Sequence, residues 1–157
     1  MALEVTASAI VPAPPDDVFS LLCDTSRYPE WVTGTDAVTR TDGPAAEGST
    51  YDEVNPILGP WKANTHWRVV EHEAPRRTRH STGDIPLSSS FEVVMEVAPE
   101  GDASRVTLTL RGEPAYGPVG AVFARLMKGQ VDRDNRSSVE AFAELATREL
   151  GAQQARA

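Results

Sequence analysis

Three side chains in this 157-residue sequence have the chemistry to move protons in one place: His80, Glu53 and Asp134. A histidine with an unperturbed pKa of about 6.5 exchanges its proton at neutral pH with little tuning, and a carboxylate facing it would orient the ring or hold its proton. Thr78, His80 and Thr82 alternate against Arg77, Arg79 and Ser81. Long charged side chains belong in water, so His80 is expected to point inward. His66 alternates with Trp67 and Val69 and is expected in solvent. Glu53 shares a phase with Tyr51 and Asn55, the inward phase preferred here; the opposite phase would bury Val54 with Thr50 and Asp52. A lone inward histidine is also satisfied by one hydrogen bond to a carbonyl, in a purely structural role. Burying Glu53 and Asp134 without partners would be costly, so if both face inward a site accounts for them better than chance.

The elements that must position these groups follow from periodicity. Gly117 to Leu150 is the only long segment with helical spacing. Val119, Phe123, Leu126 and Met127 form one apolar face and Phe142, Leu145 and Ala146 a second. Between them Gln130, Asp134 and Ser138 either line a pocket or, if the helix crosses a sheet edge or kinks near Gly129, sit in water. Upstream, Leu3 to Val11 reads as a strand ended by Pro12, Pro14 and Pro15. A short helix follows, with Asp16 and Asp17 in its first turn and Val18, Phe19, Leu21 and Leu22 on its buried face. A second short helix starts at Thr25 or Ser26 and ends in the aromatic surface of Tyr28 and Trp31, before Gly34.

From Asp36 to Gly112, turn signals at Asp42-Gly43-Pro44, Gly59-Pro60, Ala74-Pro75, Gly83-Asp84 and Gly101-Asp102 cut out six strands. Short connections make them antiparallel. The fold class is therefore α+β: seven antiparallel strands around one long C-terminal helix, with two short helices after the first strand. One inner row carries Trp61, Ala63, Thr65, Trp67 and Val69, another Phe91, Val93, Met95 and Val97, and a third Val106, Leu108 and Leu110. Small residues at Ala63, Thr65 and Ser90 leave volume where a solid core would want larger ones. Trp61, Trp67 and Phe91 would then wall a flat apolar ligand, or would simply be core. The connection from Gly112 to Pro118, with Tyr116, is a plausible rim for the mouth of such a cavity.

Size and charge bound the rest. The chain reads as one domain over residues 1–150 with a polar tail at 151–157. The net charge of −8 argues against nucleic acid and anionic membranes as partners. With no apolar run long enough to span a bilayer and no signal-peptide pattern at Met1 to Ser8, a cytoplasmic protein without membrane insertion is expected. Cys23 is a lone cysteine in an apolar helical pattern, more often core than nucleophile. No His/Cys spacing suggests a metal, so metal: none and no cofactor are the expectations. A monomer or weak homodimer is expected.

Ala13-Pro14-Pro15-Asp16-Asp17-Val18-Phe19-Ser20-Leu21-Leu22, followed by Tyr28-Pro29-Glu30-Trp31, is similar to the start of the START-like (Bet v 1-like, SRPBCC) superfamily. Trp67-Arg68-Val69-Val70-Glu71, Pro75-Arg76-Arg77 and the helix around Leu126-Met127-Lys128-Gly129-Gln130-Val131 resemble its bacterial polyketide cyclase/dehydrase branch. The resemblance spans nearly the whole chain and implies the helix-grip fold, with an apolar cavity between sheet and helix. It leaves two functions open. One is cyclisation or dehydration of a polyketide-like substrate by acid-base chemistry without metal or nucleotide cofactor, with His80, Glu53 and Asp134 catalytic. The other is non-catalytic carriage or sensing of a lipid or other hydrophobic ligand. A protein-interaction role is a third, weaker reading. In either of the first two, the partner is a small apolar or aromatic molecule, held by Tyr51, Asn55, Trp61, Thr65, Trp67, Phe91, Tyr116, Phe123, Met127 and Gln130.

Overall fold

A computed structural model describes residues 3–156, with side chains described for residues 3–151. The chain runs β1 (Leu3–Val11), α1 (Pro15–Leu22), a 3-10 helix (Thr25–Glu30), β2 (Ala37–Thr41), β3 (Thr50–Leu58), β4 (Trp61–Glu73), β5 (Arg77–Thr82), β6 (Ser88–Glu100), β7 (Ala103–Pro114) and α2 (Pro118–Arg156). The seven strands form one antiparallel sheet in the order β1-β7-β6-β5-β4-β3-β2. Every neighbour except β1 and β7 is a sequential hairpin, so the sheet is a meander closed at one edge by the first strand. This is the helix-grip architecture expected from the sequence.

The N-terminal helix starts where its chemistry allows. Pro14 is the extended N-cap, Pro15 opens the helix, and Asp16 and Asp17 sit in its positive first turn. Val18, Phe19 and Leu22 face inward and join Cys23, Tyr28 and Trp31 in the core.

The long helix is one uninterrupted element, and it continues to Arg156 instead of ending in a tail near Leu150. Its two halves behave differently. In the second half Asn135, Ser138, Val139, Phe142, Leu145, Ala146 and Leu150 are buried, recurring every three or four residues with two adjacent pairs as one broad helical stripe requires, and the helix packs on β1, β7 and α1. In the first half only Phe123 and Met127 of the expected apolar face turn inward, and both are half-buried. Leu126 is 75% exposed, because it lies about 100° round the helix from Met127. Val119, expected inside, is also exposed; it belongs to the first turn, beside the exposed Tyr116. That turn is tight: a Cβ at Gly120 would lie 1.6 Å from the Ala115 carbonyl oxygen, so only glycine fits there.

Strand alternation places the remaining side chains. Tyr51, Glu53 and Asn55 are buried while Asp52 and Val54 are not, which decides the phase of β3 in favour of the preferred one. His80 is buried and His66 is exposed. The arginines of β5 lie on the outer face, where Arg79 pairs with Glu71 (3.1 Å) and Glu92 (2.8 Å) and Arg77 with Glu71 (2.9 Å). No helix among the described residues is long and apolar enough to cross a membrane.

Candidate functional site

Between the sheet and the first half of α2 lies a cavity of about 220 Å³. Its inner end is built from Tyr28, Trp31, Tyr51, Glu53, Asn55, Trp67, Met95, Leu108, Asn135 and Ser138, all buried. Its outer end carries Pro56, Ile57, the connection from Ile85 to Ser88, Phe123, Ala124, Met127 and Gln130, which are half-buried or exposed and so mark the open side.

An unbroken run of aromatic rings forms the wall. Phe91 meets Trp67 edge-on at 6.3 Å, Trp67 lies parallel to Tyr51 at 6.2 Å, Tyr51 meets Tyr28 at 5.5 Å, Tyr28 meets Trp31 at 5.6 Å, and Trp31 meets Phe142 at 5.0 Å. These spacings are within the favourable range for aromatic pairs, which fixes the rings as a rigid surface. Phe91 owes its place to Gly112 opposite it on β7: a Cβ there would come within 3.0 Å of the Phe91 ring.

Two polar chains are closed internally, the first running from the cavity's inner end to Thr65 and the second lying behind the wall. In the first, Asn55 Nδ2 donates to Glu53 Oε2 (2.9 Å) and to the Gly34 carbonyl (2.7 Å), while Asn55 Oδ1 accepts from the Thr65 hydroxyl and Thr65 Oγ1 accepts from Trp67 Nε1 (2.8 Å). In the second, the Thr78 hydroxyl donates to the Glu71 carbonyl (3.2 Å) and accepts from His80 Nε2 (3.0 Å). His80 Nδ1 is then the acceptor for the Tyr51 hydroxyl at 2.6 Å. Asn135 Nδ2 donates to the Leu108 carbonyl (3.0 Å), tying α2 to β7 at the cavity floor.

The electrostatics of the two chains differ. Burial pushes the Glu53 carboxyl up to about 7, with smaller opposing effects from Asn55, Thr35 and Trp67. Glu53 therefore exchanges a proton near neutral pH while facing the cavity. Burial, and secondarily the charge of His72, lowers His80 to about 3. Burial also holds the Tyr28 and Tyr51 phenols well above their usual value, so both stay protonated. Cys23 is pushed up to about 12 by burial and remains a thiol.

The structure gathers Glu53, Tyr51, Asn55, Trp67, Phe91, Phe123, Met127, Gln130 and Asp134 around the cavity. Gln130 Nε2 donates to Asp134 Oδ1 (2.7 Å) near the open side, so Asp134 is a rim residue and not a partner of Glu53 or His80. Four expectations need correction. His80 points inward but is not among the lining residues, and both its ring nitrogens are engaged. Thr65 is buried behind the wall as a prop for Asn55 and Trp67. Trp61 shares the inner phase of β4 but is 44% exposed, because it sits at the hairpin end. Tyr116 is 76% exposed on the connection into α2, of which only Gly112 and Pro114 reach the cavity.

Strand and helix periodicity does not assign Tyr28, Trp31, Asn135 or the Ile85–Ser88 connection to the site. The signal for Tyr28 and Trp31 is the aromatic surface that closes the 3-10 segment, Tyr28 inside it and Trp31 as its C-cap residue. Among the described residues, no three His, Cys, Asp or Glu side chains converge as metal ligands do.

Residues 2–147 match the family model described as "Polyketide cyclase / dehydrase and lipid transport". The chain belongs to that family. An uncharacterized protein of Mycobacterium tuberculosis, Rv1546, is 30% identical over 145 residues, 90% of this chain and 96% of its own. Toxin Rv0910 of the same organism is 25% identical over 144 residues, covering 89% and 98%. Among solved structures, the Zhui aromatase/cyclase from Streptomyces sp. R1128 superposes with a TM-score of 0.79 at 18% identity, covering 96% of each chain. At that identity it speaks for the fold alone.

Proposed function

We propose that this protein binds one small apolar or aromatic molecule in the cavity between the sheet and α2, with Glu53 as the ionisable group that meets it. The observation that carries this reading is an aromatic wall enclosing the only buried carboxyl among the described lining residues, the usual composition of a small-molecule site. Family membership supports it, since the family's description names lipid transport beside polyketide cyclisation and dehydration. Titration with an apolar fluorescent probe and with aromatic polyketide mimics is expected to show saturable one-to-one binding in which the two compete. Absence of saturable binding by either would sink the proposal.

A second reading, that the bound molecule is also cyclised or dehydrated, rests on Glu53 itself. A carboxyl at about 7 is half ionised at neutral pH; it can take an acidic proton next to a carbonyl and return a proton to a departing hydroxyl as water leaves. Incubation with a poly-β-carbonyl mimic separates the readings. Turnover that falls roughly 100-fold or more in Glu53→Gln, with binding retained, supports catalysis. A mimic that wild type binds and releases unchanged supports carriage.

A further inference from the structure

The hydrogen-bonded chain from Trp67 through Thr65 and Asn55 ends at the Glu53 carboxyl, where one oxygen is taken and the other is free. Asn55 Nδ2 donates to Glu53 Oε2 (2.9 Å). Thr35 and Trp67 lie close enough to ease ionisation of the carboxyl, but the Trp67 indole is given to Thr65, and Glu53 Oε1 completes no hydrogen bond with the described residues. Among those residues the buried side-chain polar atoms that are both unbonded and sealed from water are Tyr28 Oη and Trp31 Nε1. Glu53 Oε1 is not one of them, so it opens on the cavity that Glu53 lines, although the residue is only 5% exposed.

The charge around this oxygen is one-sided. Of the described lining residues, Glu53 and Asp134 are acidic and none is a lysine, arginine or histidine. The other titratable groups there are the Tyr28 and Tyr51 phenols, which burial keeps protonated. The β5 arginines are paired with Glu71 and Glu92 on the outer face of the sheet, and His80 stands behind Tyr51 with both nitrogens engaged. A buried carboxylate without a cation carries a large desolvation cost. Glu53 meets that cost by holding its proton up to about 7.

We propose that the ligand carries a protonated amine at its inward end and that Glu53 Oε1 is the counter-ion. The inference rests on the ligand-binding reading above and gives it a chemical class: a flat apolar molecule bearing an ammonium group. An ammonium donates to the free oxygen and supplies the missing positive charge in one contact. A hydroxyl at the same place donates without the charge, and a hydrocarbon does neither. The aromatic wall suits the same class, since ring faces attract a cation that an aliphatic wall only desolvates. Pairing the ammonium with a carboxyl that holds its proton up to about 7 releases that proton, so the amine's affinity rises with pH below this value and is level above it.

The test uses a shape-matched set, 1-(2-naphthyl)ethylamine, 1-(2-naphthyl)ethanol and 2-ethylnaphthalene, titrated into wild type and Glu53→Gln. At about pH 8 wild type is expected to bind the amine about 10-fold or more tighter than the alcohol or the hydrocarbon, as a hydrogen bond to a charged group warrants. Between about pH 5 and about pH 7 the amine's affinity should climb by up to about 10-fold per pH unit, while that of the hydrocarbon stays level or falls. Calorimetric titration of the amine at about pH 6 in two buffers of different ionisation heat should show close to one proton released per complex. That measurement needs wild type alone, so it decides the matter even where Glu53→Gln folds poorly. In Glu53→Gln the amine's advantage and its pH dependence should disappear while the hydrocarbon still binds. An amine no tighter than the alcohol, an amine affinity that does not change with pH, no released proton, or an advantage that survives in Glu53→Gln would each overturn the inference, and binding of the alcohol or hydrocarbon would leave the ligand-binding reading intact. Failure of all three probes to bind wild type would remove that reading, and this inference with it.

Discussion

Glu53 and His80 are both buried titratable groups, and burial moves them in opposite directions. For Glu53 the folded value of about 7 lies above the ordinary 4.5, so folding favours its protonated form. That contribution is complete below about 4.5 and is lost as pH rises to about 7, amounting to about 3 kcal/mol at about 1.4 kcal/mol per pH unit. For His80 the folded value of about 3 lies below the ordinary 6.5, so folding favours the neutral ring. Its contribution is present above about 6.5 and is lost as pH falls toward 3. The two slopes oppose each other between 4.5 and 6.5. Wild-type stability, as far as these two groups set it, is therefore expected to be flat there, to fall below 4.5 through His80 alone, and to fall from 6.5 to 7 through Glu53 alone. Glu53→Gln removes one of the slopes. Chemical denaturation from pH 4 to 8 should show the variant gaining on wild type by about 3 kcal/mol across the range, with a plateau above pH 7. A difference that does not change with pH would mean that Glu53 does not titrate in the folded protein as its burial implies.

At the scale of elements, α2 divides into a packed half and a half that roofs the cavity, and substitutions should report that division. Phe142 is fully buried against Trp31, and Phe142→Ala is expected to cost about 3–5 kcal/mol by denaturation. Leu126→Ala, on the exposed side of the other half, is expected to stay within about 0.5 kcal/mol. A large cost for Leu126 would show that its face is covered in solution. The same division marks what the sequence could reveal. Alternation anchored on Trp67, Val69 and the β5 arginines was enough to orient His66, His80 and the inner rows, because a two-residue period is a property of every strand. Helical spacing located α2 and its Phe142 stripe. Periodicity assigns a side chain to a face but not to a position along the element. Trp61 has the inner phase yet lies past the end of what covers it, and Val119 fails for the same reason in the first turn of α2. His80 was oriented correctly, but its withdrawal behind Tyr51 depends on pairing across β3, β4 and β5, which a single strand's pattern does not contain. Tyr28 and Trp31 read as aromatic surface closing a short helix, and which way that surface faces is set by the packing of the sheet and not by the segment's own pattern.

Taken whole, the molecule is a curved meander whose concave side is filled at one end by the packed half of α2 and left open at the other. The aromatic run from Phe91 to Phe142 crosses between them. Hydrogen bonds hold two of its rings, Trp67 to Thr65 and Tyr51 to His80. A solid core and a binding cavity respond oppositely to added volume. Val93 lies on the inner row of β6 and lines the cavity, and Val93→Phe adds a ring there. The most direct test of the ligand-binding account is a calorimetric titration of 2-acetylnaphthalene into wild type and Val93→Phe, with the thermal midpoint of each recorded. The account predicts one saturable site in wild type and at least about a 10-fold loss of affinity in a variant whose midpoint is unchanged or higher. A wild type that binds nothing, together with a variant destabilised by the 1–3 kcal/mol typical of overpacking, would contradict it and leave a filled core where the cavity has been placed.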